Sequence, residues 1–278
     1  MIDITGEQDF LTKGWAVIET KIPSSILDEV AEVTEKIKDV DRSLVNGYRD
    51  CKAIEKIASW NIITEFIESG FGRKCFPFQT INFPYGSKQP LHQDSVHFQS
   101  YPTGLMCAAW VALEDISIKS GPLHIAKNSK HIPTYQKFEF DELNSESRND
   151  VDLSYKVYEE AIKKLVLSLN LDVEPVVIKK GQALIWDTRL IHGGASVEIE
   201  KLTRLSQVTH YFFEDCLYYA PLQSDMLNGN VRYILPYNIS KGKRIPISSL
   251  LSAARKNNIS IVFVLMSLLK RFISNFLS

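Results

Sequence analysis

No two of the four cysteines, Cys51, Cys75, Cys107 and Cys216, stand at the close spacing of a structural zinc site or a redox dithiol. Reduced, mostly buried thiols are therefore expected. An excess of one charge is lacking as well. Lys and Arg total 32 against 33 for Asp and Glu, so no broad basic field exists to hold nucleic acid. The first twenty residues lack the basic start and apolar core of a signal peptide, because Asp3, Glu7, Asp9 and Lys13 interrupt the apolar positions; cytoplasmic localisation is the expectation. A membrane-length apolar run is missing too. The almost wholly apolar stretch 259–269 is about half of the roughly 20 residues a span requires, before Lys270 and Arg271 interrupt. An amphipathic C-terminal helix is expected there, packed on the domain or on a second copy in a homodimer, ahead of peripheral membrane association. The chain has no internal repeat and no low-complexity tract.

What is present is an ordinary globular composition, 45% hydrophobic and 10% aromatic over 278 residues. All-β barrels reach about 200 to 250 residues as single units, so residues 1–278 are expected to form one domain with appendages. Those appendages are a helical insertion at about 137–171 and a helical C-terminal segment at about 247–278. The opening reads as helix over 6–12, strand over 16–19 and helix over 26–38, with Pro23 and Ser24 as its start signal. Strands are predicted at 76–83, 106–113, 182–187 and 205–213, bounded by Gly, Pro and Ser clusters. Within the insertion, Tyr155, Tyr158, Ile162, Leu165 and Leu169 recur at helical spacing. The segment is a surface insertion or a lid over a pocket.

The triplet His92-Gln93-Asp94 carries the chemistry. In an extended strand, residues i and i+2 share a face, so His92 and Asp94 reach one metal while Gln93 points away. A third ligand must come from elsewhere, and His192 is well placed at the end of a β-like segment before Gly193-Gly194. Two imidazoles and a carboxylate on one octahedral face leave three positions open, as in non-haem iron oxygenases. A closed zinc site would want a fourth protein ligand, and no obvious one is present. Alone, the HxD pattern arises readily by chance in a chain with six histidines. Arg204, twelve residues past His192, strengthens it. Its planar guanidinium can grip a carboxylate of a co-substrate such as 2-oxoglutarate through two parallel hydrogen bonds. The strand that Arg204 begins is expected to run antiparallel to the one feeding His192, with Ser206 on the same face as a further hydroxyl donor. Without the three candidate ligands as company, Arg204 would read as a surface salt bridge.

The stretches Pro90-Leu91-His92-Gln93-Asp94, Trp110-Val111-Ala112-Leu113-Glu114-Asp115, Gly121-Pro122-Leu123 and Gly181-Gln182-Ala183-Leu184-Ile185-Trp186-Asp187, the last leading into His192-Gly193-Gly194, resemble the phytanoyl-CoA dioxygenase family. The resemblance covers most of residues 5–215, including Phe10, Gly14 and Ile18 in the opening segment. It implies a mainly β fold with flanking helices around a double-stranded β-helix, the cupin-like jelly roll. It further implies Fe(II), 2-oxoglutarate and O2 as cofactor and co-substrates. His92, Asp94 and His192 match the iron ligands, Arg204 the residue that binds the 2-oxoglutarate carboxylate, Trp110 a tryptophan near the co-substrate and Gln79 another contact to it. The implied reaction is hydroxylation of a positioned carbon with release of succinate and CO2. Asp94 argues against halogenation, for which related enzymes vacate the carboxylate position. The chain departs from the family at Lys127-Asn128-Ser129-Lys130, where a Pro-Gly-Ser-His turn is common, with the histidine displaced to His131. Asn128 can supply the left-handed backbone of the missing glycine.

Of the other histidines, His97 lines the pocket or supports a ligand, whereas His124, His131 and His210 are expected to be structural. His97, Phe98, Gln99, Ser100 and Tyr101 suggest a pocket floor of mixed character. The rival readings are a catalytically retired jelly roll serving as a binding module, and a zinc or manganese enzyme of the cupin type. The intact set His92, Asp94, His192 and Arg204 speaks against the first; Arg204 and Trp110 would lack a reason in the second. A small or medium-sized biosynthetic intermediate is preferred as substrate over a fatty acyl-CoA, because no concentrated basic cluster for nucleotide phosphates is evident.

Overall fold

Apolar residues fill both faces of the central strands, and their alternation sets the layers of this protein. The computed structural model describes residues 4–37, 43–137, 139 and 150–277. Helix α1 (Ile4–Lys13), strand β1 (Trp15–Glu19), helix α2 (Ser24–Lys36), strand β2 (Leu44–Val45) and helices α3 (Lys52–Ala58) and α4 (Asn61–Phe71) lead into β3 (Cys75–Phe83). There follow β4 (Gln99–Tyr101), β5 (Met106–Ala112), β6 (Leu123–Ala126), helix α5 (Val151–Ser168), β7 (Val173–Pro175), β8 (Gln182–Asp187), β9 (His192–Gly194), β10 (Ser206–Phe213) and β11 (Leu217–Tyr219). A short hairpin, β12 (Tyr237–Asn238) and β13 (Lys243–Arg244), precedes helices α6 (Ile247–Lys256) and α7 (Ile261–Leu277).

The large sheet has the order β1-β8-β5-β10-β3-β2, and a smaller one the order β7-β6-β9, with β11 paired to β4. These pairings are antiparallel throughout. In β5, Cys107, Ala109 and Val111 join a core with Phe10, Ile54, Ile63 and Phe66 of the helices. The intervening Ala108, Trp110 and Ala112 pack with Leu123 and Ile125 between the sheets. Strand β8 repeats the division, Ala183 and Ile185 toward the helices, Leu184 and Trp186 inward. A strand buried on both faces reads as a continuous apolar run, which is what these sequences show. Hydrogen bonds fasten the helical layer: Tyr211 Oη donates to Ala58 O at 2.9 Å, and Gln207 Nε2 to Ile54 O at 3.1 Å. The result is the expected jelly roll, two antiparallel sheets face to face with helices outside.

Two expectations about strands are corrected. Strand β10 does not lie beside the strand feeding His192; β5 intervenes, and β8 and β10, both antiparallel to β5, run parallel to each other. His192 does not end a strand but begins β9 in the smaller sheet, because the chain turns at 188–191 and crosses between layers. The predicted elements otherwise appear, with ends shifted by a residue or two; α2 starts directly after Pro23, whose φ is −56°. In the insertion, residues 138 and 140–149 lie outside the described ones. Helix α5 buries Tyr158 and Ile162 as its periodicity requires, whereas Leu169, just past its end, is exposed. All four cysteines are free and three of them buried. Among the described residues no helix is long and apolar enough to cross a membrane. Helix α7 seats Val264 and Leu268 in the core and exposes Val262, Met266 and Leu269.

Candidate metal centre

His92 and Asp94 are not neighbours on a regular strand, as their spacing suggested. His92 forms an isolated antiparallel bridge to His192, its N–H donating to His192 O and its carbonyl accepting the return bond from His192 N–H, both at 2.9 Å. Directly afterwards the chain tightens into a single 3₁₀ turn, Asp94–Val96. The bridge sets the two imidazoles side by side, with ring centroids 4.5 Å apart. The turn brings Asp94 back to the same side. Gln93 points away, as predicted, and donates to Arg189 O at 2.7 Å.

Each imidazole is oriented by a backbone carbonyl: Nδ1 of His92 donates to Pro90 O at 2.8 Å and Nδ1 of His192 to Leu190 O at 3.0 Å. A carbonyl can only accept, so Nδ1 carries a proton in both rings, and Nε2 is the atom each ring would offer to a metal. Both Nε2 atoms lie 3.6 Å from Asp94 Oδ1. The other carboxylate oxygen, Oδ2, accepts from Trp186 Nε1 at 2.8 Å, which fixes the carboxylate and leaves Oδ1 facing the histidines. One ligand atom of each of the three residues lies within 4.8 Å of the others, all three side chains being buried. Three lone pairs turned toward one point fit a cation, and such carbonyl and indole partners are how metal ligands are held in place.

Protonation states agree. Burial pushes the Asp94 carboxyl upward, but His192, His92 and His210 together draw it well below the usual carboxylate range. Burial takes the His192 imidazole down to about 4, with Asp94 opposing. The aspartate is therefore ionised and His192 neutral at pH 7, as metal binding requires.

These residues open into a cavity of about 420 Å³ between the sheets. Strand parity aims Gln79, Ile81 and Phe83 of β3 and Val208 and His210 of β10 into it. Arg204 also lines it, from just before β10, its backbone N–H donating to Pro84 O at 2.8 Å. The guanidinium is buried between the rings of Phe83 and Trp110, 5.5 and 5.4 Å from their centroids. Among the described residues its one hydrogen bond is from Nη1 to Gly121 O at 3.3 Å, Nε has no partner, and no carboxylate pairs with it. Burial lowers its pKa to about 10, which leaves it charged at pH 7. A buried charge without a counter-ion is costly, so this side chain is built to receive an anion.

The remaining predicted residues divide. Gln79 lines the cavity, paired across the strands with His210. Trp110 is fully buried behind Arg204 and does not line it. Ser206 is also buried outside it, its hydroxyl donating back to Arg204 O at 3.2 Å. His97 and Phe98 line the cavity, whereas Gln99 and Ser100 are buried elsewhere and Tyr101 is exposed, because the chain turns away into β4. His210 is not the structural histidine expected: Nε2 lies 3.9 Å from Asp94 Oδ2, and Nδ1 has no partner. Its pairing with Gln79, both on inward positions, is the signal that was available. Asn128 has the left-handed backbone anticipated, φ 62°, and Ser129 Oγ accepts from the Ile191 N–H at 2.8 Å. Helix α5 does reach the site. Tyr158 Oη accepts from the Gln93 N–H at 2.7 Å, Gln89 Nε2 donates to Tyr155 Oη at 3.1 Å, and the Tyr155 ring lies 4.7 Å from that of His97. The part of the lining made by Leu222, Gln223, Arg232 and Ile234 was not anticipated, since it follows the last recognisable motif.

Comparison with known proteins gives the same picture. No curated protein matches the chain. Among solved structures, the non-heme alpha ketoglutarate dependent epimerase SnoN from nogalamycin biosynthesis is 14% identical with a TM-score of 0.60, over 81% of this chain and 87% of that one. The carbocyclase SnoK, from the same biosynthesis, is 11% identical with a TM-score of 0.62, over 88% and 94%. EctD from S. alaskensis, with 2-oxoglutarate and 5-hydroxyectoine, is 15% identical with a TM-score of 0.59, over 80% and 79%. At these identities the likeness is one of fold. Residues 72–198, a span that carries His92, Asp94 and His192, match the family described as phytanoyl-CoA dioxygenase.

Proposed function

We propose that this protein is an Fe(II)- and 2-oxoglutarate-dependent dioxygenase, a single domain that hydroxylates a small or medium-sized biosynthetic intermediate with release of succinate and CO2. The observation that carries this is the pairing, in one cavity, of three convergent metal-ligand atoms with a buried guanidinium that has no counter-ion among the described residues. The match of residues 72–198 to that family points the same way, and the structures of SnoN with Fe3+ and alpha ketoglutarate and of EctD with 2-oxoglutarate hold those groups in this fold.

His92 Nε2, Asp94 Oδ1 and His192 Nε2 would hold the iron, on one face, leaving the rest of its coordination sphere to the cavity. Bound iron with 2-oxoglutarate and O2 supplies the oxidising chemistry; the chain supplies binding, orientation and exclusion of water. Arg204 is suited to the distal carboxylate of 2-oxoglutarate through parallel charge-assisted hydrogen bonds, with Gln79 as a further contact. Trp110 and Phe83 clamp the guanidinium plane, so Trp110 acts through Arg204, and Ser206 braces the backbone beneath it. Phe98, Leu222 and Ile234 form an apolar wall on which a substrate carbon can be positioned away from bulk water.

Calorimetric titration tests the assignment. Ferrous ion is expected to bind under anaerobic conditions, 2-oxoglutarate to bind in turn, and carbon dioxide to be released from 2-oxoglutarate on admission of O2, all of this lost in Asp94→Ala. Metal binding undiminished in Asp94→Ala would show that the ligand set is wrong.

A further inference from the structure

Beyond the triad, two full positive charges and no second carboxylate line the cavity among the described residues: Arg204, already described, and Arg232, from the segment that follows β11. The segment that carries Arg232 is fastened by its backbone. Arg232 N–H donates to Ser224 Oγ at 2.9 Å, Arg232 O accepts from the Ala220 N–H at 3.0 Å, and Ile234 N–H donates to Tyr218 O at 2.8 Å. Tyr219 and Tyr233 form an antiparallel bridge in the same ladder. Extended parity then separates the side chains: Val231 and Tyr233 are buried in the main core, while Arg232 and Ile234 line the cavity. The Arg232 side chain is half-buried, and among the described residues its guanidinium has no ion pair and no hydrogen bond. Ala220, Leu222 and Ile234 add apolar surface to the same cavity lining, and Gln223 a neutral hydrogen-bonding group.

Charge balance gives this arrangement a meaning. It rests on the reading above: a divalent metal with Asp94 leaves one positive charge, Arg204 adds a second, and the two carboxylates of 2-oxoglutarate cancel both. Arg232 is then left over, a cation in a cavity that has used its other charges.

We propose that Arg232 recognises the substrate, and that the molecule oxidised carries an anionic oxygen group, a carboxylate or a phosphate, on an apolar body. The anion is seated at Arg232, and the apolar body lies along Leu222 and Ile234 toward the triad. Arg232 is a specificity residue and takes no part in holding the metal or 2-oxoglutarate.

The test compares hexanoate, hexyl phosphate and the neutral hexanamide by calorimetry, on protein loaded with manganous ion and 2-oxoglutarate and, separately, on metal-free protein carrying Arg204→Met, so that Arg204 cannot take the anion. The anions are expected to bind about tenfold or more tightly than the amide, the contribution of a charge-assisted hydrogen bond. That preference should vanish in Arg232→Gln and return in part in Arg232→Lys, while affinity for manganous ion and 2-oxoglutarate stays as in the parent protein. Preference for the phosphate over the carboxylate, or the reverse, names which anion the substrate bears. Equal binding of anions and amide by the parent, or an anion preference that survives Arg232→Gln, overturns the inference. Failure of 2-oxoglutarate to load is a separate result: it sinks the dioxygenase reading, and the metal-free Arg204→Met comparison, in which Arg232 is the remaining full cation lining the cavity among the described residues, still decides the role of Arg232.

Discussion

Burial disfavours a charged imidazole, and in the cavity that holds Asp94 three of the four lining histidines show it. Burial holds His97 and His192 down to about 4 and lowers His210 as well, against the ordinary value of 6.5. In the unfolded chain these groups take up a proton near 6.5, so the folded state is fully favoured above that pH and loses stability as pH falls toward 4. Metal-free protein is therefore expected to lose on the order of a few kcal/mol of unfolding free energy across that window, at about 1.4 kcal/mol for every tenfold reduction in a group's proton affinity. Denaturant midpoints measured at a series of pH values check it; a flat profile from pH 7 to 4 would contradict the burial argument. Arg204 makes the opposite demand, since its charge is kept where no counter-ion stands among the described residues. Arg204→Met should weaken 2-oxoglutarate binding about 10- to 100-fold, the range for hydrogen bonds to a charged group. The same variant should raise the melting temperature of the ligand-free protein, because an apolar side chain there relieves a buried unpaired charge. Loss of affinity together with lower stability would instead mean that the variant is misfolded.

At the scale of elements, the ligands depend on how three pieces of chain meet. The 3₁₀ turn after His92 replaces the strand that HxD spacing suggests, and its place is held by helix α5 through the Tyr158 hydroxyl and the Gln93 N–H. Tyr158→Phe leaves that buried N–H without its partner and should cost about 1–3 kcal/mol of stability. It should also weaken metal binding, since the turn positions Asp94; equilibrium unfolding and metal titration measure the two effects separately. Trp186 ties β8 to the same carboxylate. Trp186→Phe keeps much of the ring volume but frees Asp94 Oδ2, so metal affinity should fall about 10- to 100-fold, the usual effect of losing a partner that orients a ligand. Helical periodicity from Tyr155 to Leu165 and the apolar runs of β5 and β8 were legible because burial imposes its period directly on side-chain choice. The turn at Asp94 was not, since both a strand and a 3₁₀ turn can bring residues 92 and 94 to one side.

Across the whole molecule, the cavity is where two sheets and the 217–234 segment converge, and a metal bound there links elements far apart in sequence. A divalent ion that binds only the folded state should stabilise it by about 2.7 kcal/mol at a concentration 100-fold above its dissociation constant. Thermal unfolding with and without manganous ion, then after chelation, should show a rise and its reversal in the parent protein and neither in His192→Ala. A shift of equal size in that variant would place the metal elsewhere.

The amino-acid sequence by itself determined the chemistry available: His92, Asp94 and His192 with Arg204, in an order that resembles one family, and strands whose apolar runs require burial on both faces. Those are local properties, written in residue type and spacing. Tertiary structure alone decided which side chains share the cavity. It moved Trp110 and Ser206 behind Arg204, brought His210 beside Asp94, and set Arg232 in the lining of the same cavity. The reason is physical. Strand order, the crossing at 188–191 and the return of the chain after β11 are settled by how the layers pack, and residues on opposite walls carry no mark of each other in the linear chain.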